Sequence, residues 1–209
     1  MSTVVVRKLG LRTYPPVFEA MHAFTAGRGR HTRDEFWLVE HPPIFTLGRS
    51  GKREHILDAG DIPVLQVDRG GQVTYHGPGQ AVIYLLMDLR RRNLGVRQLV
   101  HGIERAMIDC LAGYGVNASG REGAPGVYVE DRKIAALGLR IRRSCSYHGL
   151  SLNVDMDLSP FTRINPCGYE GLETTQLKDL GVDVGLQSVS EDLCARLASQ
   201  FNYAELTFE

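Results

Sequence analysis

The stretch VYVEDRKIAALGLRIRRSCSYHGLSLNV, Val127 to Val154, sets the fold class. It reads as three consecutive strands, Val127 to Val129, Lys133 to Ile141 and Ser144 to Val154. Asp131-Arg132 makes the first turn and Arg142-Arg143 lies near the second. Connections this short join antiparallel neighbours, so this part of the chain is a meander. On its N-terminal side, Thr3 to Leu9 reads as a first strand, and residues 14–26 as a helix with Val17, Met21 and Phe24 on a rough apolar stripe. Glu35 to Glu40 (EFWLVE) reads as a strand stopped by His41-Pro42-Pro43, because proline cannot extend a central ladder. Pro63 to Val67 and Ala81 to Met87 are apolar runs with the look of buried strands. The clearest helix is Val96 to Leu111, where Leu99, Ile103, Met107 and Cys110 recur at helical spacing and Gly113 and Gly115 follow as stops. After an irregular segment, Asp155 to Gly171, the chain ends on helices. Ser188 with Glu191 fits a capping box for the last of them. The element order is mixed rather than regularly alternating. The expected fold is α+β: a single domain over residues 1–209, with a mixed, mainly antiparallel β-sheet flanked by helices.

Composition narrows the function classes. The chain is 43% hydrophobic and 23% charged, which is ordinary for a globular protein. Lys plus Arg and Asp plus Glu each total 24, so no overall field points to nucleic acid or to an anionic membrane, and neither is expected as a partner. Local charge is less even: Arg90, Arg91 and Arg92 form one basic cluster, and Arg140, Arg142 and Arg143 another. No segment is apolar and long enough to span a bilayer, and Met1 to Gly10 lacks the regions of a secretory signal, so the expected location is cytoplasmic. Cys110, Cys145, Cys167 and Cys194 lie far apart without CxxC spacing, which argues against structural zinc and a redox pair. Neither a metal nor another cofactor is expected.

Four stretches are capable of chemistry. Arg69 to Gln80, RGGQVTYHGPGQ, is a glycine-rich polar run that also holds Tyr75 and His76; its alternative reading is a hairpin connection. It fits neither a dinucleotide fingerprint nor a P-loop. In the second stretch, Lys133 opens an otherwise apolar strand. A desolvated lysine there would have a lowered pKa or stabilise an anion, whereas a solvated strand-edge lysine is the commoner case. The third, CSYHGLSLN from Cys145 to Asn153, contains His148. In the fourth, RINPCGYEG, Cys167 sits between Pro166 and Gly168 in an irregular loop. Cys110 and Cys194 fall on apolar helix faces as small hydrophobes, and Cys145 is ambiguous on a strand. Cys167 has the context of a shaped turn, and a nearby lysine cation would favour its thiolate.

Taken in order, WLVEHPPIFTLGR (Trp37 to Arg49), the Arg69–Gln80 run, KIAALGLRI (Lys133 to Ile141) and INPCGYEG (Ile164 to Gly171) resemble the lipoyl(octanoyl) transferase family. Its members, also called lipoate-protein ligase B, are octanoyl-[acyl-carrier-protein]:protein N-octanoyltransferases. The resemblance implies the catalytic-domain fold of biotin and lipoate protein ligases. It implies transfer of an octanoyl group, without ATP, from octanoyl-acyl carrier protein through a cysteine thioester to a lysine of a lipoyl domain. Acceptors would be the acyltransferase subunits of 2-oxoacid dehydrogenases and the glycine cleavage H protein. Cys167 would be the nucleophile, with Lys133 beside it lowering its pKa. Arg69, Gly70, Gly71, Gln72, Val73, Thr74, Tyr75 and His76 would line the acyl site, joined by Ala136, Leu137, Gly138, Gly149, Leu150 and Ser151. His76 and His148 would be polar neighbours of the thioester, and backbone N–H groups near Leu137-Gly138 would hold its oxyanion. Either basic cluster would suit an acidic carrier. Two other readings compete. One is an ATP-dependent lipoate or biotin ligase on the same fold, suggested by Gly27-Arg28-Gly29-Arg30. The other is a non-catalytic module that binds an acyl or lipoyl group.

Overall fold

The structure, a computed structural model, describes residues 3–166 and 171–209. The first half of the chain forms β1 (Thr3–Leu11), α1 (Tyr14–Ala26), β2 (Asp34–Glu40), β3 (Ile44–Leu47), β4 (Val64–Gln66), β5 (Val73–His76) and β6 (Gln80–Leu86). The second half forms α2 (Val96–Gly113), β7 (Ser119–Gly120), β8 (Val127–Val129), β9 (Arg132–Arg142), β10 (Cys145–Asn153), α3 (Leu186–Gln200) and β11 (Glu205–Phe208). The meander forms as expected, β8 to β10 being antiparallel neighbours. Arg143 and Ser144 make the second turn with φ of 49° and 62°, the left-handed pair that matches the twist of a tight hairpin.

An eight-stranded sheet in the order β11-β1-β2-β6-β10-β9-β8-β7 carries the structure. Only the β11–β1 and β1–β2 pairs are parallel, so the sheet is mixed and mainly antiparallel. Its central strands explain the unbroken apolar runs. On β2 and β6, Phe36, Leu38, Ile83 and Leu85 face a core shared with α2 and α3. Trp37, Val39, Val82, Tyr84 and Leu86 alternate with them and face α1 through Tyr14, Val17 and Met21. A strand covered on both faces has no polar side to show. The prolines after Glu40 end β2 as their chemistry requires.

A second sheet, β4-β3-β5, was not visible as a unit in the sequence. Its core joins Phe45, Leu47, Val73 and Tyr75 to Met156, Phe161 and Ile164. The glycine-rich run therefore does not close a hairpin: β5 belongs to the small sheet and β6 to the large one. The C-terminal helix also starts earlier than its capping signature. Gly185, in an extended conformation, is the N-cap, which leaves Ser188 and Glu191 inside α3. β3, β5, β7 and β11 are strands that sequence patterning missed.

Candidate active site

β9 and β10 run side by side with Gly149 opposite Gly138, Leu150 opposite Leu137 and Ser151 opposite Ala136. Alternation turns Leu137 and Leu150 toward the α2–α3 core and leaves Ala136, Gly138, Gly149 and Ser151 together on the other face. Four small residues make a trough there. It forms the floor of a cleft of about 770 Å³ between the large sheet, the start of α1 and the small sheet.

Most residues singled out in the sequence meet at this cleft. Arg69, Gly71, Gln72, Val73, Thr74 and His76 line it from the glycine-rich run, Lys133, Ala136, Leu137 and Gly138 from β9, and His148, Gly149, Leu150 and Ser151 from β10. Gly70 and Tyr75 do not. Gly70 instead donates its backbone N–H to Leu139 O (2.8 Å), which fastens the loop to β9. Tyr75 turns into the small-sheet core against Phe45 and Phe161. Glycine is required where the loop meets the sheet. A Cβ on Gly138 would lie 3.0 Å from Gly70 O, and one on Gly48 would lie 2.3 Å from Gly71 O. Arg69 is buried, its guanidinium donating to Thr46 O (2.7 Å), Thr46 Oγ1 (2.9 Å) and Gly70 O (2.9 Å).

Lys133 is not a solvated strand-edge lysine. It is 6% exposed, donates from Nζ to Pro125 O (3.1 Å), and lies 5.5 Å from the Tyr128 ring centroid. Its backbone N–H donates to Glu173 O (2.8 Å) and its carbonyl accepts from Thr175 N (3.0 Å). Residues 173–175 are thereby stitched alongside the start of β9. On the other side of the irregular segment, Asn165 donates to His55 O (2.8 Å). Pro166 and Thr174 both line the cleft. Cys167 lies outside the described residues.

A hydrogen-bonded set of histidines and tyrosines runs along the cleft from the His148 end back toward Lys133. His148 has a φ of 58°, left-handed for a non-glycine residue inside a strand. Its Nε2 meets Asp68 Oδ1 at 2.9 Å and its Nδ1 faces the Tyr14 hydroxyl at 3.4 Å. Asp68 also accepts from the Tyr147 hydroxyl and lies within ion-pair distance of His22 and Arg140. Burial raises the Asp68 carboxyl, but the bonds from His148 and Tyr147 outweigh it and hold the group well below the usual carboxylate range. Burial pushes the His148 imidazole down although Asp68 opposes it. His41 lies between Arg12 O (2.6 Å, Nδ1) and the Tyr84 hydroxyl (2.7 Å, Nε2), and burial lowers it to about 4. His76 meets Gln80 Oε1 through Nδ1 (2.7 Å); burial, then His41, lowers it to about 3. Gln80 in turn donates to Asn153 Oδ1 (2.9 Å), whose amide donates to Thr175 O (3.0 Å).

Tyr14, His41, Asp68 and Tyr84 were not anticipated. Asp68 directly precedes Arg-Gly-Gly, a local hint, but its partners are some 80 residues away in the chain. Apart from Arg140, which lies beside Asp68, the arginine-rich stretches are placed elsewhere. Arg28 donates to Leu86 O (2.9 Å) and pairs with the buried Asp34 (2.5 Å), so Gly27–Arg30 is a structural corner. Arg91 and Arg92 also pair with Asp34, at 2.6 and 3.5 Å. Among the described residues, no helix is long and apolar enough to cross a membrane, and no group of three or more His, Cys, Asp or Glu is placed to hold a metal ion.

Comparison with known proteins bears on the family and the fold. Residues 14–198 match the family model of the lipoyl protein ligase A/B catalytic domain. The chain is 60% identical over 208 residues to an octanoyltransferase of Pseudomonas entomophila, covering 99% of this chain and 97% of that protein. It is 61% identical over 207 residues to an octanoyltransferase of Azotobacter vinelandii, covering 98% and 95%. Among solved structures, the bi-partite lipoate protein ligase of Thermoplasma acidophilum aligns with a TM-score of 0.79 at 14% identity, covering 100% of this chain and 86% of that one. Lipoate-protein ligase A bound with ATP aligns with a TM-score of 0.76 at 13% identity, covering 100% and 87%. These two show a shared fold, the mixed sheet with flanking helices expected from the sequence.

Proposed function

We propose, for a chain that belongs to the lipoyl protein ligase A/B catalytic-domain family, the activity of an octanoyltransferase that serves protein lipoylation, with residues 1–209 acting as one domain. Near-full-length identity to octanoyltransferases supports the reaction class. The observation that carries the site assignment is the presence of Lys133 and Pro166, the residue before Cys167, in the wall of one small-residue cleft. The donor in this reading is octanoyl-acyl carrier protein. The acceptors are lipoyl domains, including those of 2-oxoacid dehydrogenase acyltransferase subunits and the glycine cleavage H protein.

The Cys167 thiolate attacks the octanoyl thioester. A new S–C bond forms, the bond to the carrier's pantetheine sulfur breaks, and that sulfur leaves as a thiolate that takes a proton from the Lys133 ammonium. One thioester replaces another of similar energy, so ATP is not needed. The neutral amine of a lipoyl-domain lysine then attacks the enzyme thioester. The N–C bond forms, the Cys167 S–C bond breaks, and the amine's proton passes to the departing sulfur. Lys133, held in the cleft wall, is the group assigned to stabilise the thiolate as a cation. In its neutral form it would assist the amine's deprotonation.

Distances along β9 divide the other roles. Leu137 and Gly138 are four and five residues from Lys133, roughly 13–17 Å at the rise of a strand. His148 stands opposite Leu139, roughly 20 Å along. With the thioester near Lys133, Leu137 and Gly138 lie toward the acyl tail rather than at the reacting carbonyl, and His148 lies beyond the reach of an eight-carbon chain. The Arg69–Gly71 loop, fastened to Leu139, closes the far end of the cleft.

Intact-protein mass spectrometry after mixing the protein with octanoyl-acyl carrier protein, without ATP, tests the assignment. One octanoyl adduct is expected, labile to hydroxylamine and absent in Cys167→Ser. Transfer that appears only with ATP would instead place the chain among the ligases.

A further inference from the structure

We propose that Glu104 and Tyr128 are positioning residues for the acyl transfer: from outside the cleft they hold the Ala124–Gly126 turn, so that Pro125 O fixes where the Lys133 ammonium points. The inference rests on the role given to Lys133 above and adds the groups that aim it.

Three consecutive residues of that turn are each tied to a different group. Ala124 O accepts from the Tyr128 hydroxyl (3.1 Å). Pro125 O accepts from Lys133 Nζ (3.1 Å). Gly126 N donates to Glu104 Oε1 on α2, 22 residues back in the chain (3.0 Å). The Glu104 side chain is only 14% exposed, so this charge-assisted bond is not easily replaced by water. Its other oxygen lies 3.5 Å from Nδ1 of the exposed His101, one turn earlier on the helix. Among the described residues, Lys133 lines the cleft while Glu104 and Tyr128 do not. The turn and the lysine fit against each other without spare room. Gly126 has a φ of 140°, and a Cβ there would lie 2.6 Å from Lys133 Cε and 2.8 Å from Ala135 O. Beside it Tyr128 pairs with Lys133 but Val127 pairs with Ala135, so β9 bulges by one residue directly after the lysine.

A lysine ends a flexible four-carbon stem, so burial alone does not fix the direction of its ammonium. A carbonyl can only accept, so Pro125 O takes one N–H and turns the other two away from the turn. Remove the Glu104 acceptor and the Gly126 N–H loses its partner, the turn relaxes, and Pro125 O moves off Nζ. A misplaced charge beside the reacting sulfur slows the chemical step and leaves donor binding largely intact.

Kinetics on folded variants tests this, with octanoyl-acyl carrier protein as donor and an isolated lipoyl domain as acceptor. Glu104→Ala is expected to lower kcat about tenfold while KM for the donor stays within about twofold. Glu104→Gln keeps an oxygen for the Gly126 N–H and should recover most of that loss. Tyr128→Phe keeps the ring but releases Ala124 O; it should lower kcat several-fold, and it decides the matter if Glu104→Ala does not fold. A double-mutant cycle with Lys133→Met separates positioning from general packing. Its readout is nitrophenolate release as p-nitrophenyl octanoate, an activated ester, acylates Cys167. In the Lys133→Met background, Glu104→Ala and Tyr128→Phe should have no further effect. An unchanged kcat in both variants overturns the inference. So does an equal loss with and without Lys133, or a loss in Glu104→Gln as large as in Glu104→Ala. If Lys133→Met itself leaves acylation of Cys167 unchanged, the role given to Lys133 fails, and this inference with it.

Discussion

Single residues set the depth of the cleft. A Cβ on Gly149 would fall 1.9 Å from Ile83 O, in the backbone of β6 rather than in a side chain that could move aside. The glycine therefore lets β6 and β10 keep their ladder directly after His148, whose left-handed φ would otherwise disturb it. Gly149→Ala must push two central strands apart, and a loss of about 3 kcal/mol is expected in urea unfolding. A loss under about 1 kcal/mol would mean that the ladder can slip at this point, contrary to the geometry. Lys133 makes the same point about context. Its identity allowed either a solvated or a buried lysine, and the segment stitched along its backbone settles which.

At the level of elements, the length of β9 decides which cations can serve a carrier protein. Arg142 and Arg143 lie nine and ten residues from Lys133, roughly 30 Å along the strand, beyond the span of a pantetheine arm. Arg91 and Arg92 are held by Asp34, and Arg92 also packs over the Tyr203 ring at 3.5 Å. Arg142 and Arg143 thus lie far from Lys133, and Arg91 and Arg92 are engaged by Asp34. Arg53 and Arg163 flank the contact that carries the chain toward Cys167, where Asn165 bonds to His55 and Ile164 pairs with Ile56. Reversing both, Arg53→Glu with Arg163→Glu, should raise the KM for octanoyl-acyl carrier protein several-fold while sparing kcat. Arg142→Glu with Arg143→Glu should leave that KM unchanged. Steady-state kinetics on the two double variants separates the surfaces, and the opposite pattern would return the carrier to the hairpin end.

Across the whole molecule, α2 and α3 cover one face of the sheet while α1 and the small sheet enclose polar groups on the other. Neutral histidines in that enclosed layer link stability to pH. His41 and His76 titrate at about 4 and about 3 when folded, against about 6.5 in the unfolded chain. Below pH 6.5 only the unfolded state takes up these protons, so stability falls as the solution is acidified, by about 1.4 kcal/mol per pH unit for each histidine. The lowered Asp68 carboxyl acts in the same direction at more acidic pH. Thermal unfolding between pH 7 and pH 5 should show a steady loss of Tm, and a flat profile would mean that these histidines are already charged or reached by water. The sequence by itself determined the meander, the three α-helices and the family, because periodicity, turn chemistry and motifs such as RGGQVTYHGPGQ are local. It also named most of the cleft wall. What the tertiary structure decided is how the polar groups pair: Asp68 with His148, Tyr14 between histidines, Asp34 with three arginines. It decided too that the glycine-rich run bridges two sheets instead of closing a hairpin. Those outcomes depend on strand order and on contacts between residues far apart in the chain, and no local preference encodes which distant partner a buried carboxylate or imidazole will meet.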